Sequence, residues 1–264
     1  MKVALICPPA LLERYGRITG YHLVLPHLLH NTKYLDFYRE RRADGNYIIL
    51  DNGAAEGVDY GQVHLHTLAK EVEANEIVIP DVLEDTVGTI SRAKAFVPYA
   101  EPDFKYMAVL QGTTQQEVLK CLSFFDHAPD QMHITCIGIP RVLNKVRKAF
   151  RLHLTEFLIS QEFHRKFQFH FLGMSNWIRE PAALSATVEG CEASTWDESG
   201  FRGIDTSLPI YMGLKGYDIG KAEYIERPVD YFDMTFDRYE QVMININQYL
   251  GWAVAPERVA YGQD

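Results

Sequence analysis

The chain has 264 residues, 47% hydrophobic and 23% charged, with a formal net charge of −9 at pH 7. That length and balance suit a folded chain with a sizeable core. The acidic charge argues against a protein that coats nucleic acid by bulk attraction, while leaving a local basic face open. No stretch approaches the roughly 20 apolar residues that span a bilayer, and Cys7, Cys121, Cys136 and Cys191 form no Cys-x₂-Cys pair, so neither a zinc site nor a redox motif is indicated.

The first apolar run, Val3–Ile6, is too short for a signal peptide and reads as a strand. A cytosolic protein with reduced thiols is therefore expected, Cys136 among the core residues. Further runs follow at Tyr47–Leu50, Glu76–Ile79, Tyr106–Leu110, His133–Ile137, Phe167–Leu172 and Phe201–Ile204. Most are continuous rather than alternating, as in parallel strands covered on both faces. An eighth strand falls either at His22–Leu25 or after Tyr224. Helical spacing marks Ser91–Phe96 behind Asp85, Gln115–Phe125 behind a Thr-Thr pair, Val142–Phe150, Pro181–Val188 and Tyr239–Leu250. The alternation predicts an α/β chain. A single (β/α)₈ TIM-type barrel over residues 1–264 is the expectation, since such barrels take about 250 residues. An open doubly wound sheet competes, but no Gly-x-Gly-x-x-Gly or Gly-Lys-Ser/Thr loop supports it.

Parallel barrels assemble their chemistry at the C-terminal strand ends. Here those ends read Asp51-Asn-Gly, Pro80-Asp81, Gln111-Gly112, Gly138-Ile-Pro, Gly173-Met-Ser and Asp205-Thr-Ser. One such Asp is ordinarily a cap or turn former. Three at equivalent places suggest a shared rim. Facing carboxylates suit glycosidic chemistry, one attacking C1′ and the other handling protons. A third, beside Gln111, suits the edge of a guanine-like base, whose ring N–H and exocyclic NH₂ need an acceptor.

Other features carry bland readings. Arg141, Lys145, Arg147, Lys148 and Arg151 form the densest basic segment and fit either phosphate contacts or a solvated helix face. Arg39, Arg41 and Arg42 read as surface on the opposite side. His64 and His66 make a His-x-His pair, but within a helical stretch, and no metal is expected. Trp177 fits base stacking or buried packing. The aromatic stretch from Tyr224 to Phe236 is expected to close the barrel floor or to form a partner surface.

In this order, the strand-end motifs resemble those of the tRNA-guanine transglycosylases, and more narrowly their phage-type relatives that insert 7-deazaguanines into DNA. The resemblance runs from about Leu50 to Pro209. Leu50-Asp51-Asn52-Gly53-Ala54 resembles the family's Asp-Ser-Gly-Gly, and Val109-Leu110-Gln111-Gly112 is similar to its Val-Gln-Gly. Pro80-Asp81 resembles the strand end whose Asp reads the base. His170-Phe171-Leu172-Gly173 is similar to Tyr-Leu-Met-Gly, and Ile204-Asp205-Thr206-Ser207-Leu208-Pro209 to Phe-Asp-Cys-Val-Leu-Pro. The resemblance implies Asp205 as nucleophile and Asp51 as general acid and base. It implies base binding by Asp81, Gln111 and the Gly138 backbone, with Leu172 and Gly173 lining the pocket. Asp197 is the alternative nucleophile; the Leu-Pro after Asp205 favours Asp205.

The chain also departs from that pattern. No Cys follows Asp205, so the family's zinc subdomain is missing, and Ala54 and Ala55 replace a Gly and the stacking aromatic. These differences imply DNA, or a free nucleoside, rather than tRNA as the substrate, in the host cytoplasm if the chain is phage-encoded. The implied partners are DNA and a 7-deazaguanine base, with no cofactor and no membrane. A homodimer or an accessory nucleic-acid-binding partner would supply the grip that the acidic balance lacks. The alternatives are a tRNA enzyme, a nucleoside or base-salvage glycosidase on the same scaffold, and a catalytically dead binding barrel.

Overall fold

The structure, a computed structural model, describes residues 1–128, 130–174, 176–189 and 200–254. In chain order the elements are β1 (Lys2–Leu5), α1 (Leu12–Tyr15), β2 (Tyr21–Val24), α2 (Thr32–Ala43), β3 (Tyr47–Leu50), α3 (Gly61–Glu71), β4 (Glu76–Val78) and α4 (Thr86–Phe96). They continue with β5 (Lys105–Val109), α5 (Gln115–Asp126), β6 (Ile134–Pro140), α6 (Phe150–Ser160), β7 (Gln168–Leu172), α7 (Glu180–Glu189), β8 (Phe201–Thr206), α8 (Leu208–Leu214) and α9 (Tyr239–Val254).

All the strand pairs are parallel. The sheet runs β1, β8, β7, β6, β5, β4, β3, β2, and among the described residues no ladder joins its two ends. The fold is thus an irregular, nearly closed (β/α)₈ TIM-type barrel. Burial on both faces explains the continuous apolar runs: Ile48, Ile49, Leu50, Ile77, Val78, Phe169 and Phe171 are all inaccessible. The eighth strand is Tyr21–Val24. Its Tyr and His blur the apolar pattern, yet both are buried and hydrogen-bonded, Tyr21 inside the barrel and His22 to Asn46.

Local chemistry sets the helix starts. The Asp85 side chain accepts from Gly88 N, and Thr114 with Glu117 forms a full capping box. The expected helix over Val142–Phe150 is corrected. Arg141–Lys145 is a 3-10 turn, Ala149 turns left-handed at φ 54°, and the α-helix begins only at Phe150. That break lets Arg151 turn inward, with its backbone N–H donating to Asn144 Oδ1.

The aromatic stretch from Tyr224 to Phe236 is also corrected. It lies at the C-terminal end of the strands, not at the floor. Tyr231 donates to the Ile6 carbonyl just past β1 (2.6 Å), and Phe232 meets His27, just past β2, edge-on. At the other end, the Met1 amino group donates to the Ala253 carbonyl of α9 (2.9 Å).

Arg39 and Arg42 donate to the Glu71 and Glu73 carbonyls at the end of α3, and Arg41 pairs with Glu40 and Asp44. That cluster is structural, tying α2 to α3. Cys7, Cys121 and Cys136 are buried free thiols, and Cys191 lies outside the described residues. Among the described residues no helix is long and apolar enough to cross a membrane.

Candidate active site

Asp51, Asp81 and Asp205 all stand at the C-terminal rim. Asp51 directly follows β3 and its N–H joins the ladder through the Val24 carbonyl (2.9 Å). Asp81 lies three residues past β4, and Asp205 is the penultimate residue of β8, paired in register with Ala4 of β1. Asp81 and Asp205 are close enough to Asp51 to raise its pKa, so the barrel gathers the three carboxylates that the sequence places far apart.

Asp51 is the perturbed member. Burial pushes its carboxyl from the ordinary 3.8 up to about 8, helped by the charges of Glu56, Asp205 and Asp81. Glu56 has an oxygen, Oε2, buried without a hydrogen-bond partner. At neutral pH Asp51 therefore carries a proton it can donate. The raised value also has a consequence for stability. The folded state holds this proton more tightly than the unfolded chain, so stability falls as pH rises from the ordinary 3.8 through about 8. Asp51→Asn removes that loss. Urea unfolding at about pH 5 and about pH 9 is expected to show wild type weakening at the higher pH more than Asp51→Asn does. Equal weakening of the two proteins would refute the assignment.

Asp81 is held from two sides. Its Oδ1 accepts from Asn52 Nδ2 (2.6 Å) and its Oδ2 from Gln111 Nε2 (2.5 Å). Asn52 also donates to the Ile79 carbonyl, and Gln111 Oε1 accepts from Glu84 N, so both amides are fixed in orientation. Burial pushes the Asp81 carboxyl above its ordinary value, opposed by these two hydrogen bonds. Each of its oxygens keeps a second lone pair for a further donor. Gln111 is fully buried, and its amide positions Asp81. Beside this trio lies a small crevice lined by Asn52, Tyr60, Pro80, Asp81 and Arg92.

Asp205 is held through one oxygen. Oδ1 accepts from Gly173 N (2.9 Å) and lies 3.1 Å from His170 Nε2. Gly173 adopts φ +67°, a left-handed conformation that L side chains rarely adopt. Arg151 braces this turn from below. Inaccessible to solvent, it donates to the Ile139, Leu172 and Gly173 carbonyls and pairs with buried Glu180 (2.5 Å). The phosphate reading of the basic segment is thereby corrected at Arg151. Lys145 pairs with Glu84, while Arg141 stays exposed on the rim with its stem beside Gly173.

Gly138 is placed differently from the expectation. β6 runs on to Pro140, so Gly138 sits inside the ladder, its carbonyl accepting from Leu110 N (3.0 Å). Its bare backbone makes room for a neighbour, because a Cβ there would stand 2.6 Å from Leu172 Cδ1. His66 engages the Gln62 carbonyl and the Tyr106 hydroxyl through its two ring nitrogens, and His64 stacks on Tyr60. Trp177 is half-buried against the core. Asp197, the alternative nucleophile, lies outside the described residues.

Sequence reasoning missed Asn52 and a buried polar chain beneath Asp205. His170 Nδ1 lies 2.8 Å from the Tyr21 hydroxyl, which accepts from Arg202 Nε (2.9 Å). Arg202 in turn pairs with Glu76 (2.6 Å) and reaches Gln168. The signal was present: Glu76, His170 and Arg202 are polar residues inside otherwise apolar strands, which places them in a barrel interior where only partnered groups are tolerated. No protein-family model matches this chain and no curated protein matches it.

Proposed function

We propose that the rim exchanges a guanine base, in DNA ahead of tRNA, for a 7-deazaguanine through a covalent glycosyl-enzyme on Asp205. The observation that carries this reading is the unequal pair of carboxyls. Asp51 is pushed up to about 8, while Asp205 is pinned through Oδ1 by the Gly173 N–H beside His170. A proton donor and an oriented carboxylate on one rim are what a retaining displacement needs.

In the first half-reaction an Asp205 oxygen bonds to C1′ as the C1′–N9 bond breaks. The departing base takes the bonding pair, and Asp51 supplies its proton. In the second half, Asp51 takes the proton from N9 of the incoming base. N9 then bonds to C1′, and Asp205 leaves as a carboxylate. Asp81, oriented by Asn52 and Gln111, offers its remaining lone pairs to the ring N–H and exocyclic NH₂ of the base. Leu172 and Gly173, with the space that Gly138 leaves, form a wall. Exposed Arg141 is available to a phosphate at the rim, and a homodimer or an accessory partner supplies further grip.

Ordered motifs resembling the transglycosylases support the choice of reaction, and the missing zinc cysteines support DNA. Mass analysis of nucleosides, after incubating the protein with DNA or tRNA and a labelled 7-deazaguanine, tests it. Label in deoxynucleosides is the expected outcome. Label in tRNA alone would move the polymer to tRNA. Release of free base without label would make the protein a glycosidase, and no reaction at all would favour a binding barrel.

A further inference from the structure

The buried chain beneath Asp205 has a direction that its donors dictate. Arginine has only donors, so the Tyr21 oxygen must accept from Arg202 Nε. The Tyr21 proton must then point elsewhere, and His170 Nδ1 stands 2.8 Å away. Nδ1 is therefore the acceptor, and the proton of the neutral ring sits on Nε2, 3.1 Å from Asp205 Oδ1. Arg202 is fixed below by Glu76, which also accepts from the Tyr47 hydroxyl (3.1 Å), and by Gln168. His170 is inaccessible, and burial lowers its pKa, against the opposing pull of Asp205.

We propose that His170 is a positioning residue whose Nε2–H, fixed by the chain Glu76–Arg202–Tyr21, holds Asp205 Oδ1 and leaves Oδ2 to face the rim. Two N–H donors on one oxygen orient the carboxylate plane, and Arg202, which does not give up its proton, keeps the order from reversing. His170 therefore takes no proton during turnover, and acid–base work stays with Asp51. The kinetic half of this inference rests on the transglycosylase reading. The proton placement does not.

NMR of the full-length protein labelled with ¹⁵N-histidine tests the placement directly. The expected result is a neutral His170 ring protonated at Nε2 at neutral pH. Tyr21→Phe deprives Nδ1 of its donor and should perturb the His170 nitrogens more than those of any other histidine. An Nδ1-protonated ring or an imidazolium in wild type would overturn the proposal.

The kinetic arm compares His170→Gln, whose amide can still donate to Asp205, with His170→Phe, which cannot. Covalent-adduct formation is expected to drop about 100-fold in His170→Phe with KM little changed, and to be largely recovered in His170→Gln. Equal rates in the two variants would overturn the positioning role. If His170→Phe does not fold, Tyr21→Phe serves in its place. A wild-type protein that forms no adduct would sink the transglycosylase reading, while the NMR result would still decide the proton placement.

Discussion

Asp205→Asn is expected to slow base exchange by about 10⁴-fold or more while the fold survives. The two effects separate because of how Asp205 is held. Both groups that touch its Oδ1, Gly173 N and His170 Nε2, are donors in the assignment above, and an Asn carbonyl can still accept from them. The amide is no nucleophile, however, so C1′ has nothing to bond to when the base departs. Single-turnover incorporation of labelled base gives the rate, and urea unfolding shows whether the variant stays folded. Undiminished incorporation would move the nucleophile elsewhere, with Asp197 the next candidate.

Arg151→Met is expected to destabilise the protein by about 3–5 kcal/mol. Arg151 is fully buried, and its partner Glu180 is 1% exposed. Removing the guanidinium takes the ion-pair partner from a buried carboxylate that Asn144 also holds, and strips a donor from three carbonyls at the ends of β6 and β7. Against a typical folding stability of about 5–15 kcal/mol, that loss is large. Changing Glu180→Gln in the same chain should recover part of it, because the buried charge that Arg151 balanced goes too. Urea midpoints of the single and double variants check this. A loss below about 1 kcal/mol for the single variant would mean that water or a rearranged partner satisfies Glu180.

Seven of the eight strands among the described residues were legible because burial on both faces writes itself as unbroken apolar runs. The rim carboxylates were legible because strand ends in a parallel barrel fall just after such runs. The strand Tyr21–Val24 was ambiguous because it carries Tyr21 into the interior network, where a polar ring replaces an apolar one. Arg151 looked like surface because charge density along a chain does not reveal which residue turns inward; only the left-handed break at Ala149 and the Asn144 bond do that. Gly138 looked like a strand end because Pro140 usually stops a strand, yet here it closes one. Gln111 read as a ligand-facing polar group, although its amide turns onto Asp81, beside that of the overlooked Asn52. Which residues converge could be read from position along the chain, but which of them orient the others is decided by hydrogen bonds that form only in the fold.

The most direct test of a covalent mechanism on Asp205 is peptide mass mapping of the protein trapped with guanine-containing DNA under denaturing conditions. A nucleoside-derived mass on the peptide carrying Asp205, lost in Asp205→Asn, is the predicted result. A trapped mass on any other residue, or base exchange that proceeds with no protein–DNA adduct at all, would contradict it.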